Sequence, residues 1–98
     1  MDINISSIRF DADKKLIDFV NNKISKLSKY YDNIIDIKVF LRLMKDEEFE
    51  NKVVEVKLNI PGNELFAKKN SKSFEESTDL VVDALKHQVE KLKEKKRS

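Results

Sequence analysis

The chain has 98 residues, enough for one domain around one modest core and too few for a second. Apolar residues make up 40% and charged residues 39%, with a formal net charge of +2; this describes a highly charged globular protein and excludes a disordered polyelectrolyte. No cysteine and a single glycine exclude disulfide frameworks, thiolate metal sites, thiol nucleophiles and glycine-rich phosphate loops.

Residues 1–9 place Ile3 and Ile5 on one face and read as a first strand. Met1-Asp2-Ile3-Asn4-Ile5 carries neither the basic leader nor the apolar core of a signal peptide. No apolar run approaches the ~20 residues that cross a bilayer. A cytoplasmic protein with no membrane partner is expected. Asp11 and Asp13 are candidate N-caps for a helix over residues 13–30. Its apolar positions Leu16, Ile17, Val20, Ile24, Leu27 and Tyr31 share one side. Between Lys14 and Lys29 the charge is nearly of one sign, with Asp18 opposing Lys14, Lys15, Lys23, Lys26 and Lys29.

After Asp32-Asn33 the period changes to two. Ile35, Ile37, Val39, Leu41 and Leu43 alternate with Asp36, Lys38, Phe40, Arg42 and Met44, so the first set is assigned to the core face. Residues 45–51 form an acidic connection suited to a hairpin. Val54, Val56, Leu58 and Ile60 give a third strand, and Pro61-Gly62-Asn63 marks a tight turn. Residues 64–68 make a short fourth strand with Leu65 and Ala67 facing inward, and residues 70–72 link it to the last helix. The outer sheet face then carries Lys38, Phe40, Arg42 and Met44, with Val53 and Phe66 nearby.

The last helix, residues 73–97, opens on Ser73-Phe74-Glu75-Glu76, a capping box in which Ser73 caps Glu76 and the Glu76 carboxylate reaches back. Phe74, Val81, Val82, Leu85, Val89 and Leu92 recur at helical spacing. Acidic residues Glu75, Glu76, Asp79 and Asp83 precede basic residues Lys86, Lys91, Lys93, Lys95, Lys96 and Arg97, an order the helix dipole favours. The element order β-α-β-β-β-α predicts a single α+β domain over residues 1–98, a four-stranded mixed sheet with both helices on one face.

Chemistry is hard to assemble. The single histidine, His87, has no partners advertised by spacing and reads as a structural or surface residue. Asp79 and Asp83 lie near a helix start and fit dipole stabilisation. No enzyme, cofactor, metal or small-molecule substrate is expected. What remains is electrostatic. The first helix gives Lys14, Lys15, Lys23, Lys26 and Lys29 and the last the cluster from Lys86 to Arg97; among them Lys23, Lys26, Lys29, Lys86, Lys91, Lys93 and Lys95 are the candidate RNA-binding residues. Side by side, the two helices would merge these into one basic band that reads the shape of folded RNA through its phosphates.

The chain resembles the ribosome hibernation promoting factors and ribosome-associated inhibitor A proteins over nearly its whole length. The opening Met-x-Ile-Asn-Ile is similar to that family's first strand. The run Lys23-Ile24-Ser25-Lys26-Leu27-Ser28-Lys29-Tyr30-Tyr31 resembles its first-helix pattern. Residues 64–68, then 73–83, resemble its last strand and helix start, and Gln88, Lys91, Lys93 and Lys95 its basic helix end. Ala84 and His87 depart from it, standing where familiar members carry Lys and Arg, while Lys86 supplies charge one position away. The resemblance implies a double-stranded-RNA-binding-like fold and binding to small-subunit ribosomal RNA where messenger and transfer RNA would lie. It also implies silencing and protection of idle ribosomes in stationary phase. Ending just after the basic run, the chain is expected to be a short form, a monomer without a dimerisation domain or acidic tail. Two other readings compete: a general double-stranded RNA-binding module, and a protein-interaction domain using Phe40, Met44 and Phe66 on the outer sheet face.

Overall fold

A computed structural model describes residues 2–44 and 50–97, with side chains described through Lys95. The order is β1 (Asp2–Ile8), α1 (Lys14–Ser25) with a 3-10 turn (Lys26–Lys29), β2 (Asp36–Leu43), β3 (Lys52–Ile60), β4 (Asn63–Ser71) and α2 (Phe74–Arg97). The sheet order follows the chain, β1-β2-β3-β4. The β1–β2 pair, joined through a helix, is parallel, and the two hairpin pairs are antiparallel. This is the α+β architecture expected from the sequence.

One apolar layer lies between sheet and helices. Ile37, Val39, Leu41, Val54, Val56 and Leu58 from the sheet meet Val20, Ile24 and Leu27 from the first helical segment and Val81, Leu85 and Val89 from α2. All twelve are fully buried. Both helices therefore cover the same sheet face. They also run in the same direction. Phe10, just before α1, stacks on Phe74 with ring centroids 4.7 Å apart. Lys23 pairs with Asp79, and Lys86 lies over Tyr30. The two helices thus start side by side, and α2 runs on past the end of the first segment. Among the described residues, no helix is long and apolar enough to cross a membrane.

Local chemistry sets the element ends. Asp13 caps α1, its carboxylate accepting the Leu16 N–H at 2.8 Å. The helix expected to run on to Tyr30 tightens instead at Lys26. Ser25 Oγ donates to the Asn22 carbonyl at 2.9 Å and Ser28 Oγ to the Ser25 carbonyl at 2.8 Å. Serine hydroxyls bonding back onto the helix compete with its ladder and bend it, which favours the tighter turn. Between β3 and β4, Pro61 and Gly62 sit at the centre of a two-residue turn. Gly62 has φ +77°, the left-handed position that a Pro-Gly turn requires.

At α2, half of the expected capping box is present. Ser73 Oγ accepts the Glu76 N–H at 3.1 Å, but the Ser73 N–H donates to Ser71 Oγ at 3.3 Å, not to Glu76. Ser71 is the last residue of β4, so strand and helix share a cap. The strand is longer than residues 64–68 for the same reason: Lys52 still pairs with Ser71. One face assignment changes, and one residue of the outer face is buried. Ile35 is 56% exposed, one residue before β2 begins at Asp36, and Ile34 is buried instead. Val53 is 4% exposed although it points to the outer face, where Arg42 and Asn70 flank it across the ladder. Asn70 Nδ2 also donates to the Glu50 carbonyl at 3.0 Å beside it. Of the acidic connection expected over residues 45–51, residues 45–49 lie outside the described part. Its ends close as a hairpin, Met44 N–H donating to the Asn51 carbonyl at 3.0 Å.

Candidate nucleic-acid interface

The parallel helices gather the lysines at one end of the molecule, but not into one band. In a 3-10 turn, side chains three apart eclipse, so Lys26 and Lys29 project along the same edge while Leu27 anchors the turn in the core. Both lysines are exposed. Lys86 reaches this edge from α2, its Nζ 4.8 Å from the Tyr30 ring centroid. A cation over an aromatic face is held electrostatically by the ring quadrupole. Lys26, Lys29 and Lys86 thus gather at the seam between the helices, and Lys93, two turns further along the same side of α2, extends their line beyond it.

Lys23 is at the seam but engaged. Its ammonium lies 3.5 Å from Asp79 and 5.6 Å from the Phe19 ring centroid, and the residue is half-buried rather than exposed. Lys91 and Lys95 project from the other flank of α2. With Asn63, Leu65, Gln88 and Leu92 they line a groove of about 250 Å³ against the β3–β4 turn. Gln88 Nε2 fixes that flank by donating to the Phe66 carbonyl at 2.9 Å. Between the flanks runs the crest of α2. A step of 100° per residue puts Asp83, His87, Glu90 and Glu94 there, opposite the buried stripe. His87 is an exposed surface residue, 3.9 Å from Asp83 and 4.0 Å from Glu90. This crest divides the expected band in two.

The arrangement suits phosphates rather than base edges. The seam lysines are long point charges on rigid elements, and Lys26, Lys29 and Lys93 form no ion pair among the described residues. The opposite end of the same layer is mixed in charge, with Asp11, Asp13 and Glu75 around the helix starts beside Lys15. Sequence reasoning found the lysines and missed their props. Tyr30 as a seat for Lys86, Asp79 as a partner for Lys23 and Gln88 as a strut all join residues distant in sequence. The acidic crest was available from helical spacing alone.

The family described as sigma 54 modulation protein / S30EA ribosomal protein matches residues 3–97. A ribosome hibernation promoting factor from Pseudomonas putida is 33% identical over 98 residues, covering 100% of this chain and 92% of its own length. One from Azotobacter vinelandii is 34% identical over 95 residues, covering 97% of this chain and 85% of the relative. Among solved structures, a ribosomal subunit interface protein from Coxiella burnetii superposes with a TM-score of 0.84 at 22% identity, over 95% of this chain and 98% of that one, a likeness of fold.

Proposed function

The chain belongs to the family of sigma 54 modulation and S30EA ribosomal proteins, and from that premise we propose that it is a ribosome hibernation factor acting on the small subunit. It is a non-enzymatic ribosome-binding protein. In this reading it binds small-subunit ribosomal RNA at the decoding region as a monomer in the cytoplasm. The bound protein fills the space of messenger and transfer RNA, so inhibition is steric and idle ribosomes are protected under stress. The observation that carries the reading is the lysine seam. Lys26, Lys29, Lys86 and Lys93 come from two elements locked on one core, so their spacing is set before RNA arrives. Preset cations on a rigid edge recognise the shape of a folded RNA backbone.

Co-sedimentation with isolated small subunits, large subunits and vacant ribosomes tests this. Four phosphate contacts predict a loss of roughly 100-fold in affinity between 50 and 200 mM salt. Salt-sensitive binding to small subunits and ribosomes, displaced by messenger and transfer RNA, is the expected result. Equal binding to all three particles, or to free RNA duplexes, would instead fit a general double-stranded RNA-binding module.

A further inference from the structure

The open face of the sheet, away from both helices, is ordered in rows by the strand register. One row runs Asp2, Asp36, Asn59, Glu64; the next Asn4, Lys38, Lys57, Phe66; the third Ser6, Phe40, Glu55, Lys68. Lys38 and Lys57 stand directly opposite each other on antiparallel strands, where like charges are destabilising. The carboxylates nearest along their strands are engaged elsewhere. Asp36 accepts from Asn59 Nδ2 at 2.6 Å, and Glu55 Oε1 takes both Arg42 at 3.2 Å and Lys68 at 3.8 Å. Neither Lys38 nor Lys57 forms an ion pair among the described residues. Two aromatic rings flank the pair. Phe66 ends their row and is 46% exposed. Phe40 lines a cleft of about 260 Å³ with Asn4, Ile5, Ser6 and Lys38, between β1 and β2.

An uncompensated cation pair calls for an anion, and an exposed ring calls for a flat apolar surface. Asn4 and Ser6 add hydrogen-bonding groups beside the second ring. A nucleotide meets all three demands, whereas an acidic peptide meets only the first. The acidic row of Asp2, Asp36 and Glu64 closes one border, leaving a strip narrow enough for a single strand rather than a duplex. We infer that the open sheet face is a second RNA-binding surface, taking a single-stranded segment with a phosphate between Lys38 and Lys57. One base stacks on Phe66 and a second enters the cleft beside Phe40. Being on the far side of the sheet from the lysine seam, this face can be occupied at the same time and does not depend on how the seam is used.

The test is fluorescence anisotropy of the full chain with a labelled, unstructured oligonucleotide of about 10 nucleotides. Replacing Lys38→Gln together with Lys57→Gln is expected to weaken binding about tenfold and lower the salt slope by about 1.4 units, ~0.7 per lost contact. Phe66→Ala is expected to weaken it by about 5- to 100-fold. Lys69→Gln with Lys72→Gln, exposed lysines outside both the seam and the open-face rows, should leave oligonucleotide binding unchanged. Unchanged affinity in folded sheet variants overturns the proposal, as does an equal loss in the Lys69/Lys72 variant. So does a poly-glutamate peptide that binds as tightly as the RNA, which would assign the face to an acidic protein segment. Photo-crosslinking of the unmodified chain to a 5-iodouridine oligonucleotide makes the answer independent of variant folding. Adducts on the β2 and β4 peptides holding Phe40 and Phe66 are expected, and adducts confined to α1 or α2 overturn it.

Discussion

Lys23 shows how a single contact changes the meaning of a residue. In the sequence it is one of a run of lysines facing outward; in the fold its ammonium is 3.5 Å from Asp79, so an internal carboxylate competes with any phosphate for it. A partly exposed pair of this kind contributes at most about 1 kcal/mol to stability. Removing it therefore costs the fold little and frees one cation at the edge of the seam. Asp79→Asn is expected to bind small subunits about two- to fivefold more tightly, to steepen the salt dependence by about one contact, and to leave the melting temperature within a few degrees. Titration binding at two salt concentrations checks it, and a weaker-binding folded variant would show that Asp79 positions Lys23 rather than competing for it. No sequence pattern could have supplied this pair, because α1 and α2 meet only through the shared core.

At the scale of elements, alternation and helical periodicity were enough to give every helix and strand in order. They failed where a side chain or a neighbouring strand decides. Apolar alternation placed Ile35 in the core, but β2 begins one residue later at Asp36 and the chain entering it buries Ile34 instead. The helix over residues 13–30 looked continuous because periodicity does not register hydroxyls; Ser25 and Ser28 break its ladder. The cap of α2 is the sharpest case. A full capping box would make Glu76 the reciprocal partner, whereas the structure gives that role to Ser71. Ser71 also sits 2.9 Å from Ser77 Oγ, which donates to the Lys52 carbonyl at 2.6 Å, so the cap is tied into the sheet. Ser73→Ala is expected to cost about 1 kcal/mol. Ser71→Ala should cost about 1–3 kcal/mol, since it removes a nearly buried hydroxyl bonded to both Ser73 and Ser77. Thermal melts order the variants: Ser71→Ala and Ser73→Ala lower the midpoint by at least several degrees, Glu76→Gln by less. A larger loss in Glu76→Gln would restore the full box.

Across the whole molecule, distribution matters more than total charge. The formal charge is +2, too small to hold a polyanion by itself, yet both helices point the same way, α2 runs from acid to base, and α1 is nearly all basic. The result is a mixed end, with Asp11, Asp13 and Glu75 beside Lys15, and an end where the seam lysines gather. That polarity was half legible. The gradient along α2 could be read directly, but which α1 lysines lie beside its basic half depended on helix direction, which the right-handed β1-α1-β2 crossover and the hairpins fix only in three dimensions. Two charge-matched variants separate distribution from total. Neutralising Lys26, Lys29, Lys86 and Lys93 to Gln takes the formal charge from +2 to −2, and neutralising Lys14, Lys15, Lys69 and Lys72 does the same. If net charge governs, both lose ribosome binding alike. If the seam governs, the first loses roughly 100-fold or more near physiological salt, while the second stays within a few-fold and changes mainly its rate of association, since distant charges steer encounter but do not touch the bound backbone. Equal losses in two folded variants would move the site off the seam and leave long-range attraction as the whole of the interaction.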